Sequence, residues 1–366
     1  MAAGGRFPVW TVAFPFVGLA VFAVVSWLGA GVADDALAVA GAIVLVAVLI
    51  GAVFAAVHHA EAVADDTGEP YGTLVLTIAV TVIELALIVS VMLRGTEAPE
   101  LARDTVYAVV MIVCTGLVGV CILVGCLRFR EQSFDVTGAS IYLAVLIVLA
   151  TLTLILPNYA LALPGPVYST SQLVFVSAAA IALYAVFVYT QTIRHRGYFM
   201  PADGGETDEL REPRSSSGTL LSGALLVLSV IAVVLLAKKF AAMIDHALSA
   251  WDAPKATAGI VIALLVLLPE SMAALAAARR NELQKSLNLA LGSSLATIGL
   301  TIPGVAIVSL FLHTPLILGL EAKETVLLVT TFAASILTFS TGRTNILYGF
   351  LHLVIFGTFL FLTVVP

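Results

Sequence analysis

Tyr71-Gly-Thr-Leu-Val-Leu-Thr-Ile-Ala-Val-Thr-Val-Ile-Glu84-Leu-Ala-Leu-Ile-Val-Ser-Val-Met-Leu93 is 23 residues long and holds one charged side chain, Glu84, the fourteenth of the run. About 20 apolar residues cross a bilayer as a helix, so this stretch reads as a membrane span with an acid near its middle. The rest of the 366-residue chain repeats the pattern: 61% of it is hydrophobic and 11% charged, against about 25% charged in soluble domains. Polar punctuation marks eleven candidate spans, at 10–30, 36–57, 71–93, 105–127, 139–156, 170–193, 219–240, 256–277, 287–311, 324–340 and 344–365. The expectation is an all-α, polytopic integral membrane protein. Soluble folds are excluded, and the scarcity of aromatics and strand signals excludes an outer-membrane barrel. A net charge of −6 argues against a nucleic-acid partner. Cys114, Cys121 and Cys126 crowd into one apolar span and read as packing residues rather than a disulfide framework.

Only Arg194 to Gly218 is long and polar enough to be a linker. The chain then divides into an extra N-terminal helix (1–35), a five-helix unit (36–193), an acidic cytoplasmic linker (194–218) and a second five-helix unit (219–366). Cytoplasmic loops are enriched in Lys and Arg. With the N-terminus inside, eleven such residues fall on the inner side and six on the outer. The expected location is a cell inner or plasma membrane, with the C-terminus outside. Arg6, an apolar run and Gly31-Val32-Ala33 loosely resemble a cleaved signal, but Pro15 and the run's length favour a retained helix.

Three ionisable groups sit near mid-span: Glu84, Glu270 and His352. A charge at a helix centre costs about 2.5–3.5 kcal/mol on insertion scales, and Ser or Asn would supply a structural hydrogen bond more cheaply. Such acids mark ion pathways or proton relays. Thr73, Thr77, Thr81 and Glu84 form one stripe at helical spacing. Pro269 directly precedes Glu270 and is expected to break the helix ladder there, freeing carbonyls to line a cavity. Gly259, Ala263, Ala274 and Ala277 permit close helix approach.

The span after each acid is also alike. Ser286, Ser293, Thr297 and Thr301 share one face of the helix after Glu270, and Met111, Cys114, Thr115, Gly116 and Gly119 are a less polar version after Glu84. Each half reads as an acidic helix, a short charged connector and a small, polar helix, which is a weak internal repeat. Glu84 and Glu270 each fall in the second span of a five-span unit. Five is odd, so the two units are expected to be inverted, with both acids meeting at their midplane interface, a transporter architecture. Two adjacent carboxylates in a low-dielectric site need a divalent ion, about two protons, or a monovalent ion with a proton. Those states exclude one another, so the site should exchange ions. Carboxylates, carbonyls and hydroxyls are hard ligands that suit Ca²⁺.

Pro70 through Glu84, and Leu268-Pro-Glu270 through Leu283-Gln-Lys-Ser-Leu-Asn-Leu-Ala-Leu-Gly-Ser-Ser-Leu-Ala-Thr-Ile-Gly-Leu-Thr-Ile-Pro303, resemble the paired alpha-repeats of the calcium/cation antiporter superfamily. Within it the chain is most similar to the bacterial ChaA-type calcium:proton and sodium (potassium):proton antiporters. The resemblance implies that Glu84 and Glu270 are cation and proton ligands, with Asn288, Gly292 and Ser293 as polar positions on the following helix. In the first repeat Thr115 stands where a serine or asparagine is expected, and Thr81 joins the site from the stripe. The implied function is a secondary antiporter exporting Ca²⁺, or Na⁺ or K⁺, against H⁺, with the lipid bilayer and these ions as its partners, no cofactor and no catalytic residues. A strictly monovalent Na⁺(K⁺)/H⁺ antiporter and a cation channel are the alternatives.

Lesser features have plainer readings. His58, His59, Glu61, Asp65, Asp66 and Glu69 read as a solvated lead-in to the third span rather than a metal sensor. Asp203, Glu206, Asp208, Glu209 and Glu212 read as a solvated linker, and His352 as a packed histidine. No His-Glu-x-x-His, phosphate-binding glycine loop or nucleophile elbow is present.

Overall fold

The computed structural model describes residues 8–27, 36–67, 71–92, 99–199, 216–252, 254, 256–314 and 316–365. Among the described residues there are eleven apolar helical segments. They are α1 (Val9–Trp27), α2 (Ala36–Thr67), α3 (Tyr71–Met92), α4 (Leu101–Phe129), α5 (Val136–Tyr159), α6 (Thr170–Arg194), α7 (Ser216–Ala250), α8 (Ala256–Arg279), α9 (Leu283–Leu312), α10 (Ala322–Phe339) and α11 (Ile346–Val364). Two-residue strands, β1 (Gln132–Ser133) and β2 (Arg343–Thr344), pair antiparallel. Ten of the helices are long and apolar enough to cross a membrane, and α3 adds a shorter apolar run. The protein is an all-α polytopic membrane protein, as its composition requires.

Several ends differ from the sequence reading. The helix of the second span runs on to Thr67 and that of the seventh to Ala250. Charges such as Glu61 and Lys238 mark where a span leaves the apolar layer, but straight-chain charged residues are good helix formers, so the helix continues past them. Pro269 does not break α8, which runs uninterrupted from Ala256 to Arg279. The correction is physical: proline removes one donor, and the remaining turns are still held by packing.

The described helices form two compact units that do not coincide with the sequence halves. The first holds α1, α2, α3 and α7, and the second the other seven. In the first unit α1 lies against α2 and α7 through small residues. The Phe14 ring occupies the space a side chain at Gly51 would need, and Gly18 lets α1 approach Ala232 and Leu236. Thr219 donates to Asp66 Oδ2 (2.7 Å), tying the end of α2 to the start of α7.

The second unit has two ends, and its connectors sort cleanly between them. At one end Arg103 donates to the Gly319 carbonyl (3.1 Å), Ile317 N–H to Pro99 (3.2 Å), and Asn158 Nδ2 to Leu320 (2.7 Å). At the other, β1 pairs with β2, Gln132 Nε2 donates to the Ala278 carbonyl (3.1 Å), and Asp135 N–H donates to Gln284 Oε1 (2.7 Å). Every long helix of this unit therefore has a direction. α4 runs opposite to α9, α5 opposite to α10, and α6 opposite to α11. These are the third, fourth and fifth spans of each half, so equivalent helices are inverted.

Close helix approach follows the small residues. A side chain at Gly259 of α8 would come within 2.9 Å of the α4 backbone at Asp104–Thr105, and one at Gly349 of α11 within 2.9 Å of Leu123 N. Ala263, Ala274 and Ala277 are buried as expected. Cys114, Cys121 and Cys126 are buried and unbridged, as packing residues should be.

Candidate ion-binding site

Glu84 lies on α3 in the first unit, 2% exposed, with Thr81 one turn before it also buried and Thr77 half-buried. The side chain of Thr73 lies outside the described residues. The threonine stripe thus keeps Glu84 on an inward face of its helix, since i, i+3 and i+4 positions lie together.

Glu270, Thr115, Asn288 and Ser293 all lie in the second unit. Glu270 is half-buried on α8, fourteen residues after Ala256. Ser293 is half-buried on α9, and Ser286, Thr297 and Thr301 of the same face are buried. Thr115 is fully buried on α4 and its hydroxyl donates to the Met111 carbonyl one turn back. That leaves the oxygen's two lone pairs for another partner. Asn288 is engaged on both sides. Its Nδ2 donates to the Phe199 carbonyl (2.6 Å), and its Oδ1 accepts from Gln284 Nε2 (3.0 Å).

That bond reveals a feature the sequence hid. Arg196–Phe199, read as the start of a linker, is a single tight turn seated on the second unit. The Phe199 ring is buried against Tyr142 and Phe187. Its carbonyl reaches Asn288, and the Tyr198 carbonyl lies where a side chain at Gly138 would be. Tyr198-Phe199-Met200 in an otherwise polar run is too short a signal to find this. The acidic positions from Asp203 to Glu212 lie outside the described residues.

Neither helix that follows an acid is regular. α4 contains a π-turn at Ile112–Leu117, which includes Thr115 and Gly116, and α9 contains one at Thr297–Thr301. Single π-turns shift the helix face by one residue and recur at functional sites. These two occupy equivalent helices of the two halves, and α5 and α6 carry further π-turns at Thr151–Ile155 and Thr190–Arg194. The sequence pattern hid them, because the apolar period alone is almost unchanged by one extra residue.

Two other readings resolve within single units. His59 is fully buried and its Nε2 is 3.1 Å from the Thr11 carbonyl, while the His58 ring packs on Trp10. This pair is therefore not a solvated lead-in: α2 continues through it and α1 covers it. His352 is fully buried with Nε2 3.0 Å from the Thr338 hydroxyl, a packed histidine as expected. Among the described residues no group of three or more His, Cys, Asp and Glu side chains could hold a metal ion.

Residues 37–193 and 221–365 match the sodium/calcium exchanger protein family, and the chain belongs to it. Among curated relatives it is 46% identical over 323 residues to "Putative ionic transporter y4hA" of Sinorhizobium fredii, covering 87% of each chain. It is 37% identical over 315 residues to "Sodium-potassium/proton antiporter ChaA" of Escherichia coli, covering 85% of each. Among solved structures it resembles YfkE, a Ca²⁺/H⁺ antiporter, with a TM-score of 0.71 at 18% identity over 97% of this chain and 100% of that one.

Proposed function

We propose that the protein is a secondary-active cation:proton antiporter that exports Ca²⁺, and also Na⁺ or K⁺, in exchange for H⁺. The single observation that carries this is one acid near mid-helix in the second span of each half, Glu84 on α3 and Glu270 on α8, in a chain whose third, fourth and fifth spans run in opposite directions in the two halves. Exchanger-family membership and the names of the relatives support the same reading. In it, the chain is an N-terminal helix (1–35), inverted repeats at 36–193 and 219–366, and a cytoplasmic linker at 194–218.

The chemistry follows from charge balance. Two carboxylates in a site of low dielectric stay ionised only with compensating cations. A divalent ion, a pair of protons, or a monovalent ion with one proton each meets that need, and each displaces the others. The emptied, doubly charged site is the costly one to carry between the two sides, so movement is coupled to exchange. Thr81, Thr115, Asn288 and Ser293 supply further oxygens, which suit a hard cation. Asn288 does so through Oδ1, with the lone pair that Gln284 Nε2 does not take. A strictly monovalent Na⁺(K⁺)/H⁺ exchange is the second reading, favoured by the name of the Escherichia coli relative.

The test is proton movement in everted membrane vesicles of an inner membrane carrying the protein. Ca²⁺ added outside should discharge an acid-loaded lumen. A response to Na⁺ or K⁺ but none to Ca²⁺ selects the monovalent reading. Cation flux with no counter-movement of protons overturns both.

A further inference from the structure

At the end of the second unit where α9 begins, two side-chain amides are strung between two backbone groups. The Asp135 N–H donates to Gln284 Oε1 (2.7 Å), Gln284 Nε2 donates to Asn288 Oδ1 (3.0 Å), and Asn288 Nδ2 donates to the Phe199 carbonyl (2.6 Å). A backbone N–H only donates and a backbone carbonyl only accepts. Those two fixed polarities set both amides between them, since reversing either one would put two donors or two acceptors face to face. Asn288 is thereby held with its oxygen towards Gln284, and that bond takes one of the oxygen's two lone pairs.

Both ends of this chain of bonds are built into the fold. Asp135 caps α5, its carboxylate accepting from the Gly138 N–H (2.9 Å), so its own N–H has a fixed direction. Gln284 is buried one turn before Asn288 on α9. The Phe199 carbonyl is carried by the Arg196–Phe199 turn, which is closed by the Tyr198 N–H on the His195 carbonyl (3.0 Å). The turn is seated by its ring, which lies edge-on to Tyr142 (5.5 Å) and Phe187 (6.1 Å). Tyr142 accepts from Gln191 Nε2 (2.7 Å) and covers Gly292, one turn after Asn288, where a side chain would lie 3.8 Å from its ring. The seat of the turn and the polar face of α9 are thus one packed surface.

We propose that Gln284 is a positioning residue for Asn288 and that the Arg196–Phe199 turn is the clamp that completes it, so that docking of the turn sets how tightly the site takes its cation. The inference rests on the reading of Asn288 Oδ1 as a cation ligand. A hard cation is bound by an amide oxygen and repelled by the amide NH₂. An asparagine free to turn over presents the wrong group part of the time, whereas here the oxygen is in place before the ion arrives. Preorganisation of that kind raises affinity without adding a contact. Gln284 and Phe199 act only through Asn288.

Two measurements on the purified full chain test this. In hydrogen–deuterium exchange, the Tyr198 amide should exchange about fivefold faster in Q284L, N288A and F199A than in the unmodified chain, the effect of losing one hydrogen bond's worth of docking. In proteoliposomes, Q284L and F199A should each raise the KM for Ca²⁺, or for Na⁺ if only Na⁺ drives exchange, about fivefold with little change in maximal rate. F199L keeps an apolar side chain between Tyr142 and Phe187 and should recover most of the affinity. In an N288A background, assayed at raised cation concentration, neither Q284L nor F199A should raise KM further. A merely structural loss would persist there. Tyr198 exchange at the unmodified rate in both Q284L and N288A, or a KM effect of F199A that survives N288A, overturns the clamp. Failure of the antiport reading shows separately, as proteoliposomes of the unmodified chain without cation-driven proton movement, and the exchange measurement still decides the clamp in that case.

Discussion

Glu84 and Glu270 are legible in the sequence because a carboxylate at mid-span is expensive enough to need a reason. E84Q and E270Q, each alone, should reduce cation-driven proton release in everted vesicles to the level of empty membranes, with protein abundance unchanged. Full activity in both would remove the acids from the site. Arg103 was far less legible. Its place near a span boundary looks like an ordinary charged connector, and only the fold seats it against Gly319, 216 residues away. R103M leaves Asp104 buried without its partner, which should cost about 3–5 kcal/mol. The expected readout is a clear drop in the Tm of the purified protein. R103M/D104L should recover much of that loss, since replacing both members of a buried pair is far cheaper than removing one. Asn288 carries the same lesson in polar form: its type and place were readable, but its bond to Phe199 was not.

Among the elements, α4 and α8 show how a helix contact is built from absent side chains. Gly259 sits where any Cβ would meet the α4 backbone at 2.9 Å, and backbone cannot move aside as a flexible side chain can. G259V should therefore destabilise by about 1–3 kcal/mol through overpacking, seen as a lower Tm. G223A in α7 has open space around it. It should leave Tm unchanged or raise it slightly, by at most about 1 kcal/mol of helix propensity. The spacing of small residues in the sequence anticipated this contact. The π-turns in α4 and α9 were not anticipated, since they are set by what each helix must pack against on both sides. Helix length was misread at α2 and α7 for a related reason. A change from apolar to charged residues reports the edge of the lipid, whereas a helix ends only where its backbone bonds do.

For the whole molecule, the opposite directions of α4–α6 and α9–α11 make a sidedness prediction. In a variant lacking Cys114, Cys121 and Cys126, E131C and T341C should react with an impermeant thiol reagent from one side of the membrane. A162C and H313C should react from the other. These positions are exposed and belong to opposite ends of the second unit. Labelling of all four from one face would break the inverted arrangement, and labelling of E131C and T341C from outside the cell would overturn the proposed orientation, in which that end faces the cytoplasm. The sequence alone determined the class of molecule and its succession of apolar helices, and it singled out Glu84 and Glu270 as the acids to test. Those follow from transfer free energies that each segment carries by itself, whatever its neighbours. Tertiary structure alone decided that α1, α2, α3 and α7 group apart from the other seven helices, that Phe199 docks on Asn288, and that Gln284 ties Asn288 to Asp135. Those depend on which side chains meet across long stretches of chain, and a one-dimensional pattern of polarity holds no record of such meetings.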